Sequence, residues 1–232
     1  LSGTFDYFHK TTSDILLAPQ VPTVFGTSLS SENIGEMKNH GWELTLNYRL
    51  KTGEFSHDLS GNIGDSQNKV TKLVGGREIS KVDEYFIMKE VGLPFRSYYG
   101  YKIDSYFKTM EEIQASVLPV GISASDLRPG DVKYVDRNND GVIDEKDRFV
   151  LGNGFPRYTF GFTYNLEWKG FDFGFFIQGV GKRDMMVRGE LVEPFHSNYS
   201  YAIYKHQLDF WSPTNTDATY PRLAGIGSVS NS

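Results

Sequence analysis

Residues 158–178 read Tyr158-Thr159-Phe160-Gly161-Phe162-Thr163-Tyr164-Asn165-Leu166-Glu167-Trp168-Lys169-Gly170-Phe171-Asp172-Phe173-Gly174-Phe175-Phe176-Ile177-Gln178. From Tyr158 to Trp168 every even position is a ring or a leucine, and the odd positions are Thr, Gly, Asn and Glu. A period of two is the mark of a strand with one apolar face. After Lys169-Gly170 the apolar parity switches to the odd positions Phe171, Phe173, Phe175 and Ile177. That switch is what a two-residue hairpin requires, with Gly170 supplying a positive φ. Trp168 and Phe171 then face each other and extend one aromatic surface.

Outward from this hairpin the composition agrees. The chain has 232 residues, of which 15% are aromatic, including 17 Phe and 14 Tyr, with 24 Gly. An apolar content held largely in rings favours strands and membrane interfaces over helical cores. The absence of cysteine removes disulfides and thiolate metal sites. A net charge of −5 with mixed signs, and no basic stripe interleaved with rings, speaks against a nucleic-acid partner. No apolar run approaches the roughly 20 residues of a membrane helix. A barrel strand, which buries only alternate side chains in lipid, needs none.

Upstream, Leu1–Lys10 alternates imperfectly, and Thr11–His40, with Pro19, Pro22, Gly26, Gly35 and many serines, is predicted as a long loop. Trp42, Leu44, Leu46, Tyr48 and Leu50 then alternate with Glu43, Thr45, Asn47 and Arg49. A turn over Lys51–Glu54 leads into Phe55–Gly64, forming a second hairpin. Asp65–Arg96 is predicted as another long loop, with a turn at Gly75-Gly76 and a short strand within Glu84–Val91. Ser97–Phe107 reads as one strand and Thr109–Val117 as a helical turn or two. After Val180 the chain becomes irregular.

Some strand pairs are thus joined by about two to four residues and others by about thirty, well beyond the usual connection. Transmembrane β-barrels have this asymmetry, with short periplasmic turns and long extracellular loops. The fold expected is therefore all-β, an antiparallel transmembrane β-barrel portion. The alternative is a soluble, calcium-stabilised carbohydrate-binding β-sandwich, though its outward faces would normally carry charge.

Between the loops lies an acidic turn. Asp136, Asn138, Asp140, Gly141, Ile143 and Asp147 occupy positions 1, 3, 5, 6, 8 and 12 of an EF-hand-like loop. That spacing converges oxygen ligands on Ca²⁺: Asp136, Asn138, Asp140 and Asp147 through side chains and Val142 through its carbonyl. Gly141 permits the bend and Ile143 anchors the loop. Asp147 stands where Glu is usual, which shortens its reach. The other reading is a turn closed by Asp and Asn side chains bonding their own backbone.

Other chemistry is sparse. His9, His40, His57, His196 and His206 show no metal-ligand spacing. The carboxylates Asp83-Glu84, Glu111-Glu112, Glu190 and Glu193 lack a catalytic partner, and no nucleophile motif appears, so no enzyme is expected. Trp42, Trp168, Tyr98 and Tyr99 suit an interfacial girdle or the stacking of sugars, the girdle being favoured on the lipid-facing parity. Tyr204, Phe210 and Trp211 are freer to meet a ligand.

At these residues the chain resembles the SusC/RagA family of TonB-dependent outer-membrane transporters. The likeness runs from Gly130-Asp131-Val132-Lys133-Tyr134-Val135-Asp136 through Gly152-Asn153 and Phe155-Pro156-Arg157-Tyr158-Thr159-Phe160-Gly161. It continues through Lys169-Gly170-Phe171-Asp172, Phe176-Ile177-Gln178-Gly179, Phe210-Trp211-Ser212-Pro213-Thr214-Asn215 and Ala218-Thr219-Tyr220-Pro221-Arg222. Upstream, Asn33-Ile34-Gly35-Glu36-Met37-Lys38-Asn39-His40-Gly41-Trp42-Glu43 matches another signature stretch. The resemblance implies a place in the cell outer membrane, in contact with lipid, and import of glycans or oligopeptides driven through TonB. It also implies a SusD-like surface lipoprotein as lid. A complete member carries a plug and further strands, so residues 1–232 are expected to be one partial outer-membrane barrel, an excised piece of a longer chain.

Overall fold

The computed structural model describes residues 1–17, 32–82, 85–189, 192–194 and 203–224. Its strands are β1 (Ser2–Leu17), β2 (Glu32–Thr52), β3 (Phe55–Leu73), β4 (Arg77–Val82), β5 (Tyr85–Glu90), β6 (Ser97–Gly100), β7 (Ile103–Tyr106), β8 (Val132–Tyr134), β9 (Phe149–Asn153), β10 (Arg157–Trp168) and β11 (Phe171–Lys182). The α-helix α1 (Met110–Ala115) begins at Thr109, whose hydroxyl caps the Glu112 N–H. The chain forms two compact units, Leu1–Tyr98 with Gly152–Met185 and Tyr99–Leu151 with Met186–Ser232.

The first unit is built on a five-stranded antiparallel sheet in the order β1-β2-β3-β10-β11. Its register aligns the apolar parities of all strands. Leu44 opposes Phe5 and Ile63, and Phe160 opposes Ile63. Tyr48, Leu59, Tyr164 and Phe175 form another rung, and Phe55, Trp168 and Phe171 form the last one. The reverse face carries Thr45, Asn62, Gly161 and Gln178 on one rung and Lys51, Ser56, Glu167 and Asp172 on another.

Both tight turns lie at the same end. Lys169 and Gly170 take φ of 47° and 83°, the two left-handed residues of a type I′ turn, and Gly53 takes 60°. The long connections leave from the other end.

Three predicted boundaries are corrected. Thr11–His40 is not all loop: β1 continues through Leu17, β2 starts at Glu32, and the remainder lies outside the described residues. Nor is Asp65–Arg96 a loop, since β3 continues to Leu73, the left-handed Gly75 and Gly76 turn the chain into β4, and β4 pairs β5 as a hairpin. In both places the ladder persists where apolar alternation stops. Ser97–Phe107 is two short strands, β6 and β7, rather than one.

Above the ringed part of the sheet, Val70 and Leu73 of β3 and Ile87 and Met88 of β5 are buried. The β3 N–H at Val70 bonds the Leu93 carbonyl, and Asn68 caps the Phe95 N–H at 2.7 Å. In the second unit β7 pairs β8, and Phe107, Ile113 and Leu127 make a small core.

Candidate functional site

The main sheet separates two environments. Its apolar face is solvent-accessible along its length: Phe160, Phe162, Trp168, Phe171, Phe173 and Ile177 are all exposed. A sandwich would bury this face against a second sheet, so that alternative fails. The rings pack on one another instead, Phe55 stacking on Trp168 at 5.6 Å and Trp168 on Phe171 at 6.3 Å. Even a histidine among the rings, His57, is satisfied locally by the Tyr164 hydroxyl at 2.8 Å. So large an exposed apolar surface is stable only against lipid or another apolar body. The 12 residues of β10, at about 3.4 Å each and tilted by about 40°, rise about 30 Å, enough for the roughly 25 Å apolar band of a membrane barrel.

The reverse face is polar and cross-linked. Arg49 pairs with Asp58 at 2.5 Å, and the Ser60 hydroxyl donates to Asn47 at 2.7 Å. Glycines on this face make room for amides: a Cβ on Gly174 would lie 2.7 Å from Asn165 Oδ1. Phe176 departs from this pattern, an exposed ring opposite Thr163.

In the second unit the acidic loop is closed by its own hydrogen bonds. Asp136 accepts from the N–H groups of Asn139 and Gly141 at 2.7 and 3.0 Å. Asn138 accepts from the Asp140 N–H, its amide donates to the Asp140 carboxylate at 2.9 Å, and Asp140 accepts from Val142. Asn139 and Gly141 supply the left-handed conformations this requires. Ile143 is buried, as its anchoring role predicts, and exchanges backbone bonds with Leu118 and Val120.

Asp136, Asn138 and Asp140 are thus brought together. Asp147 is fully buried and turned to the backbone, accepting from Arg137 at 2.9 Å and Asp144 at 2.7 Å. Those bonds, the Asp144 N–H foremost, hold its carboxyl below the usual range. Val142 has an exposed side chain. Lys146 lies 3.2 Å from Asp144 and 4.0 Å from Asp140. Among the described residues no three His, Asp or Glu side chains converge as a metal cage.

Trp211, read as free for a ligand, is buried, a correction that explains two signature stretches at once. It packs on Gly130, whose φ is 92° and where a Cβ would meet the indole and also lie 2.8 Å from Arg222 Cβ. Beside it Asp131, fully buried, pairs with the Arg222 guanidinium at 2.5 Å, and the Arg222 N–H bonds the Gly130 carbonyl. Asp209 closes the segment by accepting from the Thr219 N–H and hydroxyl and from Asn215. Neither parity nor hydropathy signals this clamp. The only trace in the sequence is a Gly-Asp pair with no apolar periodicity around it.

Tyr204 is exposed and stacks on His206 at 5.9 Å, and Phe210 is half-buried beside a backbone bridge to Tyr220. Of the girdle residues, Trp168 stands on the apolar face and Trp42 is half-buried on its rung. Tyr98 and Tyr99 lie instead on β6, outside the five-stranded sheet, Tyr99 buried with its hydroxyl 3.3 Å from the Glu145 carbonyl. Glu112 caps the Lys108 N–H and pairs with Lys133 at 3.0 Å, a structural role. Asp83, Glu84, Glu190 and His196 fall outside the described residues.

An antiparallel sheet with one lipid-type face, one polar face and short turns at one end is a portion of a transmembrane β-barrel wall. Residues 1–183 match the family described as TonB dependent receptor-like, beta-barrel, and the chain belongs to it. It is 29% identical over 226 residues to TonB-dependent receptor P26 of Formosa agariphila, covering 95% of this chain and 22% of that protein. It is 27% identical over 179 residues to TonB-dependent receptor SusC of Bacteroides thetaiotaomicron, covering 75% of this chain and 17% of that one. Among solved structures, the RagAB peptide transporter shares the fold with a TM-score of 0.68 at 20% identity, over 95% of this chain and 24% of its own. The RagAB peptide importer in the open-open state gives 0.70 at 20% identity, over 96% and 23%. The SusC/RagA resemblance read from the sequence is borne out. The chain spans about a fifth of the length of these receptors.

Proposed function

We propose that this chain is part of the wall of an outer-membrane importer that takes up glycans or oligopeptides, drawing energy through TonB. A SusD-like surface lipoprotein closes its mouth. One observation carries the reading: five register-aligned strands place rings on one face and amides, hydroxyls and ion pairs on the other. The first face suits lipid and the second a wet passage. Relatives named as TonB-dependent receptors support the energised step, the solved RagAB peptide transporter supports peptides as a substrate class, and the glycan class rests on the SusC/RagA resemblance of the sequence. The role is transport rather than catalysis, and the wall is one part of an assembly whose plug and further strands belong to the longer protein.

Uptake of labelled oligosaccharides and oligopeptides by cells with and without the full-length protein, in TonB-positive and TonB-negative backgrounds, tests this. Uptake of one class that needs both proteins supports the reading. Uptake unchanged by loss of TonB contradicts it.

Calcium at the 136–147 loop is a second proposal, supported by the meeting of Asp136, Asn138 and Asp140 on the two left-handed residues Asn139 and Gly141. Each ligand oxygen that accepts one N–H keeps a lone pair for a cation. Calorimetry on the full-length protein should show Ca²⁺ heat that Asp140→Ala abolishes. No heat in the unaltered protein would dispose of it.

A further inference from the structure

The membrane-facing side of the sheet does not end at its rings. Following the register away from the tight turns, Tyr7 and Trp42 share the last aromatic rung, with Asp65 beside them. The next rung on the same side is His9, His40 and Gln67, and the one after it is Thr11, Lys38 and Lys69. All six of these side chains are exposed.

Lys38 and Lys69 stand directly opposite each other across the β2–β3 ladder. Like charges on facing positions repel, and the repulsion is relieved when an anion sits between them. Among the described residues neither lysine has an ion-pair partner. The carboxylates nearby on this side are engaged. Glu36 accepts the Thr71 hydroxyl at 2.6 Å and faces Lys72 across the ladder, and Asp65 is held by Arg157. The patch is therefore a cationic step set directly on an aromatic collar.

From the Tyr7–Trp42 rung to Lys38 is four residues, about 10 Å along the membrane normal at about 3.4 Å per residue and the usual barrel tilt. That is the height of the lipid headgroups when the rings mark the edge of the hydrocarbon.

Resting on the membrane-wall reading above, we infer that Lys38 and Lys69, with His9 and His40 beneath them, bind the phosphate of a lipid headgroup in the leaflet at the long-loop end of the barrel. The rings below take the acyl chains and the two ammonium groups chelate the phosphate, a charge-assisted contact strengthened where lipid excludes water.

Native mass spectrometry of the full-length protein tests this with a monophosphorylated acylated glucosamine disaccharide lipid, the same lipid dephosphorylated, and inorganic phosphate as competitor. The phosphorylated lipid should be retained in preference to its dephosphorylated form. Lys38→Gln and Lys69→Gln should each weaken retention about fivefold, and the double variant about thirtyfold. Lys38→Arg with Lys69→Arg should retain it. Equal retention of both lipids, equal retention by the double Gln variant, or displacement by inorganic phosphate overturns the inference. Partition into vesicles of neutral phospholipid is the separate reading: a folded protein that inserts but ignores phosphate refutes only this site. One that never inserts refutes the membrane wall and this site with it.

Discussion

The Arg157 guanidinium at the start of β10 grips the Asp65 carboxylate of β3, with Nη2 2.6 Å from Oδ2 and the Asp65 side chain only 6% exposed. The contact lies where the apolar band gives way to the polar upper sheet, and Arg157 also lies over the Tyr158 ring at 5.0 Å. Tyr158 takes a φ of 54° there. The pair therefore fixes how β10 enters the sheet.

Breaking it from one side leaves a buried charge alone. Arg157→Met should lower unfolding stability by about 3 kcal/mol, because desolvation of the Asp65 carboxylate goes uncompensated. Adding Asp65→Ala to it should return much of the loss. Urea unfolding of the reconstituted full-length protein, followed by heat-modified gel mobility, reads both. If the single and double variants lose stability equally, the buried-charge account is wrong.

Gly130 carries a second prediction. Its φ of 92° and the indole of Trp211 where a Cβ would stand leave no room for alanine. Gly130→Ala should destabilise the segment holding 209–222 by about 2–4 kcal/mol, from backbone strain and overpacking together. Limited proteolysis should then cut within 209–222 while the ringed sheet stays protected.

For the acidic loop, Asp147 sets the pH dependence. Its carboxyl is held below the ordinary range by the Asp144 and Arg137 N–H groups and more weakly by the Lys146 charge. A depressed folded value means the stabilisation is complete above the unfolded pKa of about 3.9 and lost as pH falls below it through the folded value. Thermal melts of Asp147→Asn should therefore lie below those of the unaltered protein at neutral pH and approach them under strongly acidic conditions. A gap that widened on acidification would contradict this.

The two faces make opposite demands on charge. Phe162→Arg, mid-band on the apolar side, should destabilise by about 2–4 kcal/mol in lipid, whereas Thr163→Arg, one residue on, should cost little. Folding yield into vesicles separates them. Equal yields would mean that neither face meets hydrocarbon.

How much of this was legible in the sequence follows from where lipid lies. In Trp42–Leu50 and Tyr158–Trp168 every second residue is apolar because hydrocarbon selects it, and the strands, turns and faces there could be read directly. Past Trp42 the same ladder continues through His40, Lys38 and Glu36 against Gln67, Lys69 and Lys72. There both faces are polar, so periodicity vanishes while backbone pairing does not, and real strand was read as loop. Ile143 as an anchor and Thr109 as the start of a helix were visible from local chemistry. Trp211 was misread because burial in an irregular segment depends on partners 81 to 80 positions away, Gly130 and Asp131. Asp147 was placed in the loop by spacing, but spacing does not reveal that both its oxygens face backbone N–H groups.

The assignment of faces is the central claim, and residues 1–232 carry no cysteine, so only a cysteine elsewhere in the full-length protein needs replacing before its test. Single cysteines placed at each position from 158 to 168 in the reconstituted full-length protein can be probed with a membrane-impermeant thiol reagent and with a lipid-soluble spin label. Phe160, Phe162, Tyr164 and Leu166 should resist the first and report contact with lipid-dissolved oxygen, while Gly161, Thr163, Asn165 and Glu167 should do the reverse. Uniform aqueous labelling of both parities would contradict the account.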